Sequence, residues 1–250
     1  MDENLRLSYL EAMGIQAWIP RTGTQVACGG LQPDSAIAEE PCGQRNLSSG
    51  GHSEHAPDKV SEPGSRWQVL EQEVSGCTRC ELHSTRTQTV FGSGSHSAKW
   101  MVIGEAPGAS EDAQGKPFVG RAGQVLTEML RAAGLDRGDV FITNILKCRP
   151  PDNRDPRPVE VDACEGFLKQ QVEMVRPDII LAVGRIAAQK LLKTEAPLGR
   201  LRGSVHRYGK IPVVVVYHPA YLLRSPLEKR KAWEDLKLAI ETADNGGKQQ

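Results

Sequence analysis

Lys99-Trp100-Met101-Val102-Ile103-Gly104-Glu105-Ala106-Pro107-Gly108 decides how this chain is read. Its first half is a continuous apolar run, the mark of a strand buried on both faces, and its second half is a Gly/Pro loop that neither strand nor helix can continue. Helical periodicity follows from Gly123 to Ala133, and the same order then repeats. Val140 to Leu146 is a second strand, followed by a helix from Pro158 to Val175 with proline in its first turn and Glu160 and Asp162 where the helix dipole favours acids. Ile179 to Val183 precedes a helix over Gly184 to Lys193, and Val213 to Val216 precedes a closing helix over Pro226 to Thr242. Continuously apolar strands separated by helices predict an α/β fold, a three-layer α/β/α sandwich around a mainly parallel four-stranded sheet.

Outside this region the composition changes. Leu5, Tyr9, Leu10, Met13, Ile15 and Trp18 have amphipathic spacing, which predicts a short helix within residues 1–20. Residues 21–65 are rich in Gly, Ser, Pro, Gln and Glu and hold little that could build a core, so a disordered linker is expected there. Cys28 and Cys42 lie in it without paired spacing and read as idle thiols. The folded domain is expected over 66–242 and a disordered tail over 243–250.

The 250 residues carry no net charge, but the balance is uneven. Residues 1–65 hold four basic and nine acidic side chains, leaving 27 basic against 22 acidic in the remainder. That surplus permits phosphate contacts without demanding them. The longest apolar runs, Ile179 to Val183 and Ile211 to Tyr217, fall far short of the roughly 20 residues of a membrane helix. The acidic Met1-Asp2-Glu3-Asn4 start has no basic region followed by an apolar stretch, so no secretory signal is expected and the cytoplasm is the expected location. Thiols stay reduced there, and clustered cysteines are better read as ligands than as disulfides. Cys77 and Cys80 form one close pair; Cys148 and Cys164 stand alone further on. Four thiolates suit either zinc or an iron–sulfur cluster.

Ligands of parallel sheets bind beyond the carboxyl ends of the strands. Three of those ends carry unusual residues: Gly104 to Gly108, Asn144 to Pro150, and Tyr217-His218-Pro219-Ala220-Tyr221-Leu222-Leu223. Each alone is ordinary, since a carboxylate can be solvated, an asparagine can cap a strand and a histidine can be satisfied in a core. Together they should converge on one cleft.

In this order, and with the cysteines, the loops resemble family 4 of the uracil-DNA glycosylases, the iron–sulfur branch. The resemblance covers about Trp67 to Ile240. It rests on Gly104 to Gly108 with Glu111-Asp112, on Gly115-Lys116-Pro117-Phe118-Val119-Gly120, on Thr143-Asn144 through Cys148-Arg149-Pro150-Pro151-Asp152-Asn153-Arg154, and on His218 to Leu223. It implies a structural 4Fe–4S cluster held by Cys77, Cys80, Cys148 and Cys164. It also implies an enzyme that extrudes uracil from DNA and hydrolyses its glycosidic bond, leaving an abasic site. Phe118 resembles the ring that stacks on the base, and Asn144 the amide that accepts from uracil N3–H while donating to O4. Gly104 and Ala106 would complete the pocket. His218 would donate to O2 as charge gathers on the leaving base. Glu105 is placed near the sugar, and Glu111 is available for the same work. Better-known relatives have an aspartate where this chain has Ala106, which leaves the attacking water to Glu105 or Glu111.

Leu222 and Leu223 follow the histidine, and an apolar side chain there would fill the gap left by the extruded nucleotide. Arg149, Arg154, Arg157, Arg200, Arg202, Arg207, Arg224 and Lys229 are candidates for phosphate contacts. The expected partner is uracil-containing DNA, single- or double-stranded, with no membrane and a monomeric enzyme, the N-terminal helix being free to meet another protein. A branch that traps uracil through a histidine on an added basic loop is a poor match, because Pro151 to Pro156 contains no histidine. The remaining alternatives are a glycosylase with another base preference and a non-enzymatic iron–sulfur module that binds DNA.

Overall fold

The computed structural model describes residues 63–246. The predicted helix within 1–20 and most of the predicted linker lie outside those residues. The four apolar runs form β2 (Trp100–Gly104), β3 (Val140–Asn144), β4 (Ile179–Val183) and β6 (Ile211–Val216), all mutually parallel where they pair. The sheet has six strands, not four, in the order β1-β3-β2-β4-β6-β5. Its edges are the antiparallel β1 (Ser93–Gly94) and β5 (Val205–Tyr208). Neither edge carries an apolar run: β1 is two residues long and β5 reads Val-His-Arg-Tyr.

Helices cover both faces. Alternate residues of each central strand enter different cores, as a strand's period of two requires. Met101, Ile103, Ile180, Ala182, Val213 and Val215 pack with Trp67 and Leu70 of α1 (Pro63–Ser75), Phe167 and Val172 of α4 (Pro158–Val175), and Ala187 and Ala188 of α5 (Arg185–Leu192). Trp100, Val102, Ile179, Leu181, Val214 and Val216 pack with Leu126 and Leu130 of α3 (Arg121–Ala132), Leu222 of α7 (Pro219–Arg224), and Trp233 and Leu236 of α8 (Lys229–Gly246). Two shorter helices, α2 (Ala109–Gln114) and α6 (Leu198–Leu201), follow loops at or near the functional edge. The predicted α4 has its expected bounds, and its Glu160 accepts the Arg157 amide at 2.8 Å to cap the first turn. The closing helix starts later than predicted, after a 3-10 turn at Pro226–Glu228, and it runs past Thr242 to Gly246, so residues 243–246 are helix and not tail. No described helix is long and apolar enough to cross a membrane.

Because β2, β3, β4 and β6 run the same way, the loops after them leave one edge of the sheet. The hydrogen bonds Ile145 N to Gly104 O (2.9 Å) and Leu146 N to Glu105 O (3.0 Å) carry the pairing of β2 and β3 beyond the strand ends. Both loops are thereby fixed where they begin.

Candidate active site

The loops open into a cleft of about 770 Å3, lined among others by Glu105, Ala106, Glu111, Phe118, Asn144, Tyr217, His218 and Tyr221. The three sequence-predicted loops do converge there. A fourth contributor was missed, the turn after β4, which adds Gly184, Arg185 and Ile186.

Asn144 is the last residue of β3 and is buried, and its carboxamide makes no hydrogen bond to another described residue. It faces the ring of Phe118 across Gly104: a Cβ built on Gly104 would collide with both Asn144 Oδ1 and the Phe118 ring. Only a residue without a side chain leaves room at that point. Phe118 itself sits at φ 52°, a left-handed conformation that is costly for an aromatic residue. The surroundings hold it there. Arg137 donates to the carbonyls of Pro117 (2.9 Å) and Phe118 (3.1 Å), and Glu111 accepts the amides of Val119 (2.8 Å) and Gly120 (3.0 Å). The second oxygen of Glu111 accepts from Gly108 N at 3.2 Å. Both oxygens of Glu111 are therefore committed to main-chain amides that shape the cleft wall.

His218 caps α7: its Nδ1 accepts the Ala220 amide at 3.1 Å. The ring proton of the neutral imidazole then belongs to Nε2. Burial, helped by the nearby Arg224 cation and opposed by Glu111, lowers the His218 pKa to about 4. Its ring lies 5.9 Å from that of Phe118, centre to centre. Gly184, at φ 93°, makes the approach possible, since a Cβ there would press on His218 Cβ at 3.0 Å.

Glu105 follows β2, and among the described residues its carboxylate accepts no hydrogen bond. Burial raises its pKa to about 7; Asp155 pushes the same way and Arg185 opposes. Asp155 and Arg185 pair with each other at 2.7 Å on the rim.

Leu222 requires a correction. It is only 1% exposed and packs in the core beneath α7, so it cannot reach a duplex, whereas Leu223 is 38% exposed. Helical geometry explains the swap, because consecutive residues of a helix face different directions. Two of the proposed phosphate ligands are also spent internally. Arg154 pairs with the buried Glu160, and Arg202 pairs with Asp235 at 2.6 Å while lying 4.2 Å over the Tyr217 ring. Arg224 remains at the cleft.

Cys77, Cys80, Cys148 and Cys164 line one small cavity together with Arg79, Arg86, Lys147 and Phe167. None of the four is in a disulfide. Arg86 donates to Cys148 Sγ at 3.1 Å and to the carbonyls of Cys77 (2.8 Å) and Ser75 (3.1 Å), tying the close cysteine pair to the distant ones. Burial pushes the Cys164 thiol up to about 11 and the Cys148 thiol upward as well. Among the described residues no three His, Cys, Asp or Glu side chains are gathered closely enough to hold a single metal ion. Cys148 and Cys164 bracket the segment that supplies Pro150, Asn153, Arg154 and Asp155 to the cleft.

Comparison with known proteins agrees with this architecture. The family model described as the uracil DNA glycosylase superfamily matches residues 91–237. The type-4 uracil-DNA glycosylase of Archaeoglobus fulgidus is 46% identical over 174 residues, covering 66% of this chain and 87% of the relative. Those of Pyrobaculum aerophilum and Thermotoga maritima are 43% and 41% identical, covering 68% and 69% of this chain and 91% and 92% of the relatives.

Proposed function

The chain belongs to the type-4 family of the uracil-DNA glycosylase superfamily, and from that membership we propose that it removes uracil from DNA by hydrolysis, with Glu105, Asn144 and His218 as the groups that touch the reacting nucleotide. The observation that carries the assignment is their meeting, with Phe118, around one cleft. A module that merely binds DNA needs no such set.

The target base must leave the stack to enter the cleft. Phe118 offers it a ring face, and the Asn144 carboxamide accepts from N3–H and donates to O4. Cytosine presents the reverse pattern, and a mismatched buried amide costs roughly 1–3 kcal/mol per unpaired group. As the bond between N1 and C1′ breaks, the electron pair leaves with the base and positive charge spreads over the sugar. His218 donates from Nε2 to O2, where the departing charge gathers, and needs no protonation to do so. Water adds to C1′ and gives its proton to Glu105, whose carboxylate also offsets the sugar cation. Glu111 shapes the wall instead, since its oxygens are engaged. Leu223, not Leu222, is the side chain available to fill the vacated stack.

The four cysteines fit a 4Fe–4S cluster: they are the ligand set such a cluster takes, they line one cavity, and Arg86 and Lys147 supply positive charge against the thiolates. When bound, the cluster would brace the segment between Cys148 and Cys164 and take no part in the hydrolysis. Incubation with a uracil-containing single strand followed by alkaline cleavage tests the activity. Scission at the uracil position is expected, and an intact strand overturns the assignment.

A further inference from the structure

We propose that Lys147 is a positioning residue that anchors the base-reading end of β3 to the four-cysteine site, so that filling of that site governs how well Asn144 reads the base. The link between Lys147 and Asn144 stands on hydrogen bonds alone; the dependence on filling rests on the iron–sulfur reading above.

Lys147 is 1% exposed, among the most enclosed side chains in the protein. Its three N–H bonds are all used: Nζ donates to Thr143 Oγ1 at 2.7 Å, to the Asn144 carbonyl at 2.8 Å and to Gln171 Oε1 at 2.7 Å. Gln171 and Thr143 in turn both donate to the Phe91 carbonyl at 2.9 Å. The network is closed and leaves Asn144 a fixed backbone. Among the described residues its carboxamide has no hydrogen-bond partner, so the backbone from which it springs decides where it points.

None of the three acceptors is charged. A buried ammonium is stable only near negative charge. Lys147 lines the cavity of the four cysteines, whose thiolates would supply it, and its backbone amide faces the Cys164 sulfur. Cys148 is the next residue, and Gln171 shares α4 with Cys164. One residue thus belongs to the thiolate site through its main chain and holds the base-reading strand end through its side-chain tip.

The test is a double-mutant cycle on the full chain, purified without oxygen, with iron measured per chain. Lys147→Met, Asn144→Ala and the double variant are compared by single-turnover excision and by affinity for DNA of the same sequence lacking uracil. Lys147→Met is expected to slow excision at least about tenfold while affinity for uracil-free DNA stays within about twofold. Asn144→Ala should then cost at least about tenfold less in the Lys147→Met background than in the wild type, because the amide is already misplaced. Equal costs in both backgrounds overturn the proposal, and a loss of fold alone would lower excision and affinity for uracil-free DNA together.

Gln171→Glu gives a second reading that does not depend on Lys147→Met folding, since it supplies a fixed negative partner for the ammonium. After the iron is stripped by oxidation and chelation, Gln171→Glu should keep several times more excision than the wild type treated alike. Equal losses overturn the dependence on filling. Wild-type protein purified without iron would instead defeat the iron–sulfur reading, and the cycle would still decide the Lys147 and Asn144 link.

Discussion

Glu111 and Arg137 divide the stretch from Pro117 to Gly120 between them: the carboxylate takes the amides of Val119 and Gly120, and the guanidinium donates to the carbonyls of Pro117 and Phe118. The left-handed Phe118 sits between them. Arg137→Met removes these two charge-assisted hydrogen bonds, each worth roughly 1.5–3 kcal/mol, together with the longer ones to Thr127 Oγ1 and the Gly123 carbonyl, and frees Phe118 to relax. Single-turnover excision should fall at least about tenfold, and urea unfolding should show a loss of about 2 kcal/mol.

The pH dependence of excision should follow Glu105. A carboxyl with a pKa of about 7 becomes a base only as pH rises through neutrality, while His218, at about 4, is already neutral there. The rate is expected to climb through about pH 7, and Glu105→Gln should flatten that rise and lower the rate at least about tenfold. A rise that survives in Glu105→Gln would give the water to another group.

Stability should respond to pH with two opposed contributions. Between pH 4.5 and about 7 the folded protein holds the Glu105 proton that the unfolded chain has lost, so this contribution falls as pH rises through the window. Between pH 6.5 and about 4 the unfolded chain takes up the His218 proton that the folded protein refuses, so this contribution is lost as pH falls. Denaturation of His218→Asn should show less loss of stability on acidification than the wild type.

Leu222 and Leu223 should separate cleanly. Leu222→Ala empties a buried site and is expected to cost about 2–5 kcal/mol on unfolding. Leu223→Ala should change stability by under about 0.5 kcal/mol yet slow excision from duplex more than from single-stranded DNA, because only a duplex has a gap to fill.

Gly104→Ala should abolish excision with little effect on affinity for uracil-free DNA, since the added methyl group meets Asn144 Oδ1 and the Phe118 ring. A rate within about threefold of wild type would show that the two side chains can part at low cost.

Much of this was legible beforehand because it is written locally. Four strands announce themselves as apolar runs, and Glu105, Asn144 and His218 stand where those runs stop. The edge strands were not legible, since two residues at Ser93–Gly94 and a polar quartet at Val205–Tyr208 show no run. Arg137 and Lys147 escaped for a different reason. They act on main-chain carbonyls, and nothing in a carbonyl's own residue type marks it as an acceptor; Arg137 reaches Phe118 across nineteen positions. Glu111 lines the cleft, but nothing in the sequence shows that amides already occupy both of its oxygens.

Under the proposed function each parallel strand delivers a different task to the shared edge: proton acceptance after β2, base reading at the end of β3, spacing for the imidazole after β4, and leaving-group support after β6. Such a division makes the scaffold readily evolvable. On that reading a change of target base requires remodelling only the strand end that carries the amide, while the groups that follow β2 and β6 can be inherited unaltered.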